Sequence, residues 1–335
     1  MKEYIDVVSI VGAGTWGCAL ANIVIANAEV QLYCATKRNF EVLSTERRHP
    51  KLPGFVLNSR IQVKREIDFS ISNSAIVIVA VASQYVRSIS RLLSKYTSNE
   101  NIICIASKGI EQNSGKTLSQ IIEEEMPGRD VCVLSGGSHA EEVTRDMPFG
   151  IVIAGRDNAR YLIKKILNGS KAIVACQSEM STIERLGAIK NLISIATGIC
   201  DGLGLGDNFR GCFISDAYKE ACTCINASLD EALGYGGLGD LVTTALSQNS
   251  RNYRYGLLRA NGLSHKEAMS KVDMAVEGIT LANFLIQSNL TQCRMLNSLS
   301  KLVLFEDVIT KDKFINMVYH LEESQLSEMR KGGKI

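Results

Sequence analysis

The chain has 335 residues, 46% hydrophobic and 21% charged, with a formal net charge of +2 and ten cysteines. That length suits two domains better than one core, and the near-neutral balance leaves no nucleic-acid footprint. No apolar run approaches the roughly 18 residues of a membrane span and no signal peptide precedes the first apolar run, so a cytoplasmic protein without stable membrane insertion is expected.

Val7 to Ala21 reads VVSIVGAGTWGCALA. Its apolar run breaks at Gly12-Ala13-Gly14 and resumes as an alanine-rich helical pattern, predicting strand, tight turn and helix. Gly12, Gly14 and Gly17 fill the dinucleotide fingerprint G-x-G-x-x-G. Gly12 permits the turn, Gly14 lets the backbone approach a pyrophosphate, and Gly17 lets the helix lie close on the strand. The N–H groups opening that helix suit a phosphate anion.

Val30–Cys34 reads as a second strand, followed by a polar connection carrying HPKLPG (His49–Gly54). Ile76–Val81, Ile102–Ala106 and Val131–Leu134 are apolar runs of the kind buried on both faces. Helical patterns lie between them at Val86–Tyr96 and Thr117–Met126, and Gly150–Ala154 and Ala172–Cys176 are weaker strand candidates. This alternation predicts an α/β fold with a doubly wound parallel sheet. From about Glu179 strand signals vanish and helical periodicity takes over, broken by glycine turns at Gly202–Gly206, Gly234–Gly237 and Gly262. The expected division is residues 1–180 as a Rossmann dinucleotide-binding domain and 181–330 as an all-helical substrate and catalytic domain, with a cleft between them. Arg330–Ile335 reads as a frayed tail.

Most cysteines sit inside apolar patterns (Cys104, Cys132, Cys176, Cys200, Cys212), where they behave as small hydrophobes. Free thiols and a reducing compartment are expected. Cys222-Thr-Cys224 has no second pair at zinc-like spacing, so no metal is expected.

Where an NAD enzyme usually places an acid, between Val30 and Asn39, this chain has none; it has Thr36, Lys37 and Arg38. Cations there suit a 2′-phosphate, favouring NADP over NAD. Three segments fall beyond strand ends, where ligands of open α/β sheets bind: Ala82-Ser83-Gln84, Ser107-Lys108-Gly109 and Ser135-Gly136-Gly137-Ser138. In the helical half Lys190 and Asn191 flank an otherwise apolar helix, a pattern that also fits a snorkelling lysine. Gly239-Asp240-Leu241 and Gln248–Asn252 gather an acid, an arginine and short polar side chains near helix starts, and an arginine there is a natural holder of phosphate or carboxylate. Gly202, Gly204 and Gly206 imitate a nucleotide loop but lie between helices, so they read as an interhelical turn.

Together these segments resemble the NAD(P)-dependent glycerol-3-phosphate dehydrogenase family of the bacterial type. The motifs are GAGTWG, SKGIE (Ser107–Glu111), LSGGSHAEE (Leu134–Glu142), GAIKNLISIATGICDGLGLGDN (Gly187–Asn208), GLGDLVTT (Gly237–Thr244), SRN (Ser250–Asn252) and VEG (Val276–Gly278), in the family's order from Val8 to about Leu285. The resemblance implies an oxidoreductase that reversibly reduces dihydroxyacetone phosphate to sn-glycerol 3-phosphate, the backbone precursor of phospholipids. It implies cofactor contacts at Thr15, Trp16, Lys108, Ala140, Arg251 and Glu277, with Ala275 nearby. It implies contacts with the triose phosphate at Lys108, Gly136, Ser138, Lys190, Asp240, Ser250, Arg251 and Asn252, joined by Asn191 and Thr244. Lys190 would transfer the proton, with Lys108 and Asp240 completing the catalytic set. Desolvation and Lys108 would lower the lysine's affinity for its proton, and Asp240, if close, would oppose them.

Several positions depart from that pattern: Gly137 for a proline, His139 for a phenylalanine, Glu141 for a lysine, Ala82 for a proline, and Met295–Leu296 for Pro-Ile. The arginine expected just after the second strand is out of register, since Ala35 and Thr36 come first. His49, His265 and His320 fall outside every motif. Two alternatives stand beside the leading reading: another two-domain Rossmann dehydrogenase, of the 2-hydroxyacid or 6-phosphogluconate type, and a non-catalytic NADP sensor. A homodimer is compatible with the sequence.

Overall fold

A computed structural model describes residues 5–272, 274–288 and 292–320. The expected tail Arg330–Ile335 lies outside them, as do residues 321–329. The chain forms two compact units. Unit 1 gathers residues up to Lys108, Lys116–Glu184 and Gly234–Gly239; unit 2 gathers Gly109–Gly115, Arg185–Leu233 and residues from Asp240 onward.

Unit 1 is built on eight strands: β1 (Val7–Val11), β2 (Glu29–Tyr33), β3 (Gln62–Lys64), β4 (Ile76–Val79), β5 (Ile102–Ile105), β6 (Asp130–Ser135), β7 (Phe149–Gly155) and β8 (Ala172–Gln177). They lie in the order β3-β2-β1-β4-β5-β6-β7-β8. Helices α1 (Thr15–Val24), α2 (Lys37–Thr45), α3 (Val86–Leu93), α4 (Leu118–Glu125), α5 (Ala140–Val143) and α6 (Asp157–Ile166) connect them. The chain reverses its direction of travel across the sheet between β1 and β4, the switch point at which such sheets bind ligands. Alternate residues of the central strands enter two separate cores. Val8, Ile10, Ile76, Ile78 and Cys104 pack on one side, and Val11, Val77, Val79, Ile103 and Ile105 on the other. Burial on both faces is why these segments read as unbroken apolar runs.

Two features depart from the expected sheet. β7 runs antiparallel to β6, with Cys132 opposite Gly155, so the sheet is mostly rather than wholly parallel. The link between them holds only the four-residue α5, about 6 Å of helix, against about 20 Å for six-residue β6. That helix cannot return the chain to the start of the sheet. β3 was not expected: its single apolar residue, Val63, gives a three-residue edge strand no pattern to read.

Unit 2 holds most of α7 (Ser181–Gly202), then α8 (Gly206–Cys224), α9 (Leu229–Leu233), α10 (Asp240–Ala245), α11 (Arg251–Ala260), α12 (His265–Val272), α13 (Glu277–Ser288), α14 (Arg294–Phe305) and α15 (Lys311–Tyr319). No strand occurs among the described residues after Gln177. Gly204 (φ +64°) and Gly206 (φ +82°) form the turn between α7 and α8, as the interhelical reading required. The backbones of α7 and α11 cross so closely that a Cβ on Gly256 would sit 1.9 Å from the Ile195 carbonyl oxygen. Only glycine fits there.

The free-thiol expectation fails at one pair. Cys224, closing α8, and Cys293, preceding α14, form a disulfide 69 residues apart in sequence. The Glu220 carboxylate accepts from the Met295 and Leu296 N–H groups at 2.9 Å each, holding the start of α14 against α8. That packing, invisible in sequence spacing, brings the two sulfurs together. Cys176 and Cys212 are exposed rather than buried in apolar surroundings.

Candidate functional site

In unit 1 the glycine-rich turn takes the conformation its residues allow. Gly12 has φ +116°, and a Cβ there would sit 2.4 Å from the Ala80 carbonyl oxygen. A Cβ on Gly17 would sit 1.9 Å from the Gly12 oxygen, so the helix is seated directly on the turn. Around Gly14 a Cβ would meet nothing within 4 Å, which leaves room above the turn for a ligand backbone. Gly14 is the N-cap of α1 and no side chain caps that end, so the first-turn N–H groups suit an anion. Trp16 packs edge-on against Phe149, with ring centroids 6.4 Å apart. The turn therefore fits a dinucleotide pyrophosphate by its own geometry.

His49 lies outside every sequence motif. The fold buries its imidazole against this turn, where desolvation and then the Lys51 charge lower its proton affinity, opposed by a hydrogen bond to the Ala13 backbone. The only signal was the HPKLPG segment, whose tight turns return the chain inward.

Two of the three strand-end segments meet. The Lys108 ammonium donates to the Gly136 carbonyl at 2.6 Å, and the Ser138 hydroxyl donates to the same oxygen at 3.3 Å. The Ser107 hydroxyl donates to the Val79 carbonyl at 3.2 Å, tying the end of β5 to the end of β4. Gly136 has φ +135° and lies against the Gly150 backbone, where a Cβ would meet an oxygen at 2.5 Å. Ala140 is buried at the start of α5. Lys37 and Arg38 stand exposed at the start of α2, Lys37 lying 3.8 Å from Glu41 one turn on. Thr36 caps α2, accepting from the Asn39 N–H.

In unit 2, Lys190 is 5% exposed and Asp240 1%. The lysine ammonium donates to Asp240 Oδ1 at 2.5 Å and to Thr244 Oγ1 at 2.7 Å. Asp240, whose closeness to Lys190 the sequence left open, is thus its direct partner. Asp240 opens α10 and Thr244 lies one turn further, which puts both on the face toward α7. The next residue of α7, Asn191, accepts at its Oδ1 from the Asn252 side-chain amide at 2.9 Å. Asn252 in turn accepts from the Gly278 N–H at 3.0 Å. Ser250 caps α11, Arg251 is its first residue and half-buried, and Glu277 opens α13 with exposed Ala275 two residues before it. The expected residues that bond directly to one another thus form three clusters: Lys108 and Ser138 on Gly136, Lys190 on Asp240 and Thr244, and Asn252 on Asn191.

Comparison with known proteins decides what these groups belong to. The family model described as NAD-dependent glycerol-3-phosphate dehydrogenase N-terminus matches residues 7–161, and the corresponding C-terminus model matches residues 179–309. The chain belongs to this family. A glycerol-3-phosphate dehydrogenase [NAD(P)+] of Lactobacillus delbrueckii subsp. bulgaricus is 36% identical over 283 residues, 81% of this chain and 84% of that protein. One from Macrococcus caseolyticus is 31% identical over 323 residues, covering 93% and 97%. The crystal structure of glycerol-3-phosphate dehydrogenase from Coxiella burnetii is 25% identical, covers 95% of this chain and 99% of its own, and superposes with a TM-score of 0.87. Membership accounts for the pairing of a Rossmann unit with a helical one in this glycerol-3-phosphate dehydrogenase relative. No described helix is long and apolar enough to cross a membrane.

Proposed function

We propose that this chain is an oxidoreductase interconverting dihydroxyacetone phosphate and sn-glycerol 3-phosphate with NADPH or NADH, supplying glycerol 3-phosphate for phospholipid synthesis in the cytoplasm. The observation that carries this reading is the buried lysine of unit 2, fixed by a carboxylate and a hydroxyl. A ketone that accepts a hydride must also accept a proton at its oxygen, and Lys190 is a positioned proton donor. In the reverse direction its neutral amine accepts that proton. Asp240 and Thr244 orient Nζ, each accepting a hydrogen bond from it.

The reduced nicotinamide, when bound, supplies the hydride. Gly12, Gly14, Thr15, Trp16 and Gly17 are assigned to the dinucleotide, with Lys37 and Arg38 at its adenosine end and Ala140, Arg251, Ala275 and Glu277 completing the set. Residues 1–180 are assigned to nucleotide binding and 181–330 to proton transfer and substrate binding. The planar fork of Arg251 holds the substrate phosphate in two parallel hydrogen bonds. Lys108 is assigned to both cofactor and substrate, its charge fixed on the Gly136 carbonyl, with Gly136 and Ser138 beside it on the substrate side. Asn191 and Asn252 spend most of their hydrogen-bonding capacity on each other, on Gly187 and on Gly278, so each keeps one amide N–H for substrate. Ser250 is assigned to substrate alongside them. We assign no nucleic-acid partner, given the net charge of +2, and take a homodimer forward to sedimentation.

The test is direct. Pure protein mixed with NADPH and dihydroxyacetone phosphate should consume NADPH, and 2-hydroxyacid or 6-phosphogluconate substrates should not support the reaction. Nucleotide binding without turnover of the triose phosphate would favour a sensor and overturn the reading.

A further inference from the structure

One cation near the glycine-rich turn has no place among the residues assigned so far. Arg65 directly follows β3, the edge strand paired with β2. Tyr33 and Lys64 are in register, and the Cys34 N–H donates to the Lys64 carbonyl at 2.9 Å, so Arg65 stands beside the exit of β2. Its guanidinium lies across that exit. Nη1 donates to the Ala35 carbonyl at 2.5 Å and reaches the Cys34 carbonyl at 3.5 Å. Among the described residues Nε and Nη2 make no hydrogen bond.

The exit of the second strand is where a dinucleotide fold meets the adenosine ribose, through an acid for a 2′-hydroxyl or an arginine for a 2′-phosphate. This chain has no acid between Val30 and Asn39, and no arginine directly after β2. Lys37 is poorly suited to the task, since its side chain is 82% exposed and its one ion pair spans 3.8 Å to Glu41. A solvated lysine gives up rotamer entropy to hold an anion and is screened by salt. Arg65 is already held by one nitrogen and keeps further donors in the rigid planar arrangement that matches a phosphate. We propose that Arg65 recognises the 2′-phosphate of a phosphorylated dinucleotide and sets the preference of this chain for NADPH over NADH. The proposal rests on the dinucleotide reading of unit 1.

The test titrates the full chain with NADPH and with NADH, following nucleotide fluorescence. It compares the native sequence with Arg65→Ala, Arg65→Gln and the double variant Lys37→Ala/Arg38→Ala. Glutamine keeps a donor for the Ala35 carbonyl but removes the charge, which separates phosphate recognition from local anchoring. Both Arg65 variants should weaken NADPH roughly tenfold to hundredfold, as for loss of one charge-assisted contact, while NADH moves less than about twofold. The Lys37/Arg38 variant should lose less NADPH affinity than either. Adenosine 2′-monophosphate should displace NADPH from the native protein and lose that advantage over the 5′-isomer in Arg65→Gln. Equal weakening of both nucleotides, or a selective loss confined to the Lys37/Arg38 variant, overturns the proposal. Native protein that binds neither nucleotide would instead overturn the dinucleotide reading itself.

Discussion

Replacing Lys190 by methionine separates proton transfer from every other role of unit 2. The side chains have similar length, so the packing of α7 is kept while the donor is lost. The structure predicts two effects of different kind. Turnover should fall by roughly 10²–10⁴-fold, the usual reach of a general acid or base, or about 3–5 kcal/mol of barrier. Stability should also fall, because Asp240 is 1% exposed and its carboxylate would remain buried without the ammonium at 2.5 Å. Breaking one partner of a buried pair costs about 3–5 kcal/mol. The double variant Lys190→Met/Asp240→Asn removes that stranded charge, so it should recover much of the stability and none of the turnover. Steady-state rates with dihydroxyacetone phosphate and NADPH measure the first effect, and urea midpoints the second. NADPH affinity should be nearly unchanged in both. Lys190→Arg should also fail, since a guanidinium keeps its proton in proteins. A Lys190→Met protein whose turnover stays within about tenfold of native would refute the assignment, because that is too little for loss of a proton donor.

Arg251→Lys should raise the Michaelis constant for the ketone markedly while leaving NADPH-independent stability intact, since a lysine cannot form the paired contact to phosphate; an unchanged constant would return Arg251 to an ordinary helix-start charge. Glu184 is buried, and desolvation raises its carboxyl to about 7 despite hydrogen bonds from Ser119 and Thr117. A carboxyl bound more tightly to its proton in the folded state favours folding at low pH, and that contribution is lost as pH rises from the unfolded value near 4.5 to about 7. The stability of native protein relative to Glu184→Gln should therefore fall by about 3 kcal/mol across that window and then level off, as read from urea midpoints at each pH; a rise over the same window would contradict it. Thiol titration of unreduced, denatured protein should find eight reactive cysteines, with Cys224 and Cys293 appearing only after reduction. Reduction should lower stability by about 2–4 kcal/mol.

The readable parts of the sequence were those whose physics is local. The glycine fingerprint was legible because a left-handed Gly12 and a close-packed Gly17 admit no other residue, and the central strands because burial on both faces leaves nothing polar to interrupt them. Lys190 stood out as a charge in an apolar helix. What escaped was whatever depended on another element arriving from far along the chain. The direction of β7 follows from a link with too little helix to cross back, and β3 exists only because β2 offers it an edge. His49 meets Ala13, and Cys224 meets Cys293, through packing that spacing does not encode. Arg65 is likewise illegible, because it reaches the exit of β2 from the neighbouring strand and not from the residues that follow β2.

The buried polar side chains of the helical unit converge on one place on α7. Lys190 and Asn191 are consecutive, so on a helix they point about 100° apart and address different neighbours. Lys190 reaches the first turn of α10, through Asp240 and Thr244. Asn191 reaches the first turn of α11 through Asn252, and Asn252 passes the contact to the first turn of α13 through the Gly278 N–H. Three helices therefore begin around a single turn of α7, each presenting the positive end of its backbone dipole. Such an end favours negative charge, which is what Asp240 brings to α10 and what a substrate phosphate and a developing alkoxide would bring to the group as a whole. The close crossing at Gly256 sets how near α11 stands to α7, and through it the span that Asn191 and Asn252 bridge. Close backbone packing of α7 on α11 thus sets where this turn of α7 stands, and Asp240 and Thr244 of the short α10 fix the orientation of the Lys190 ammonium.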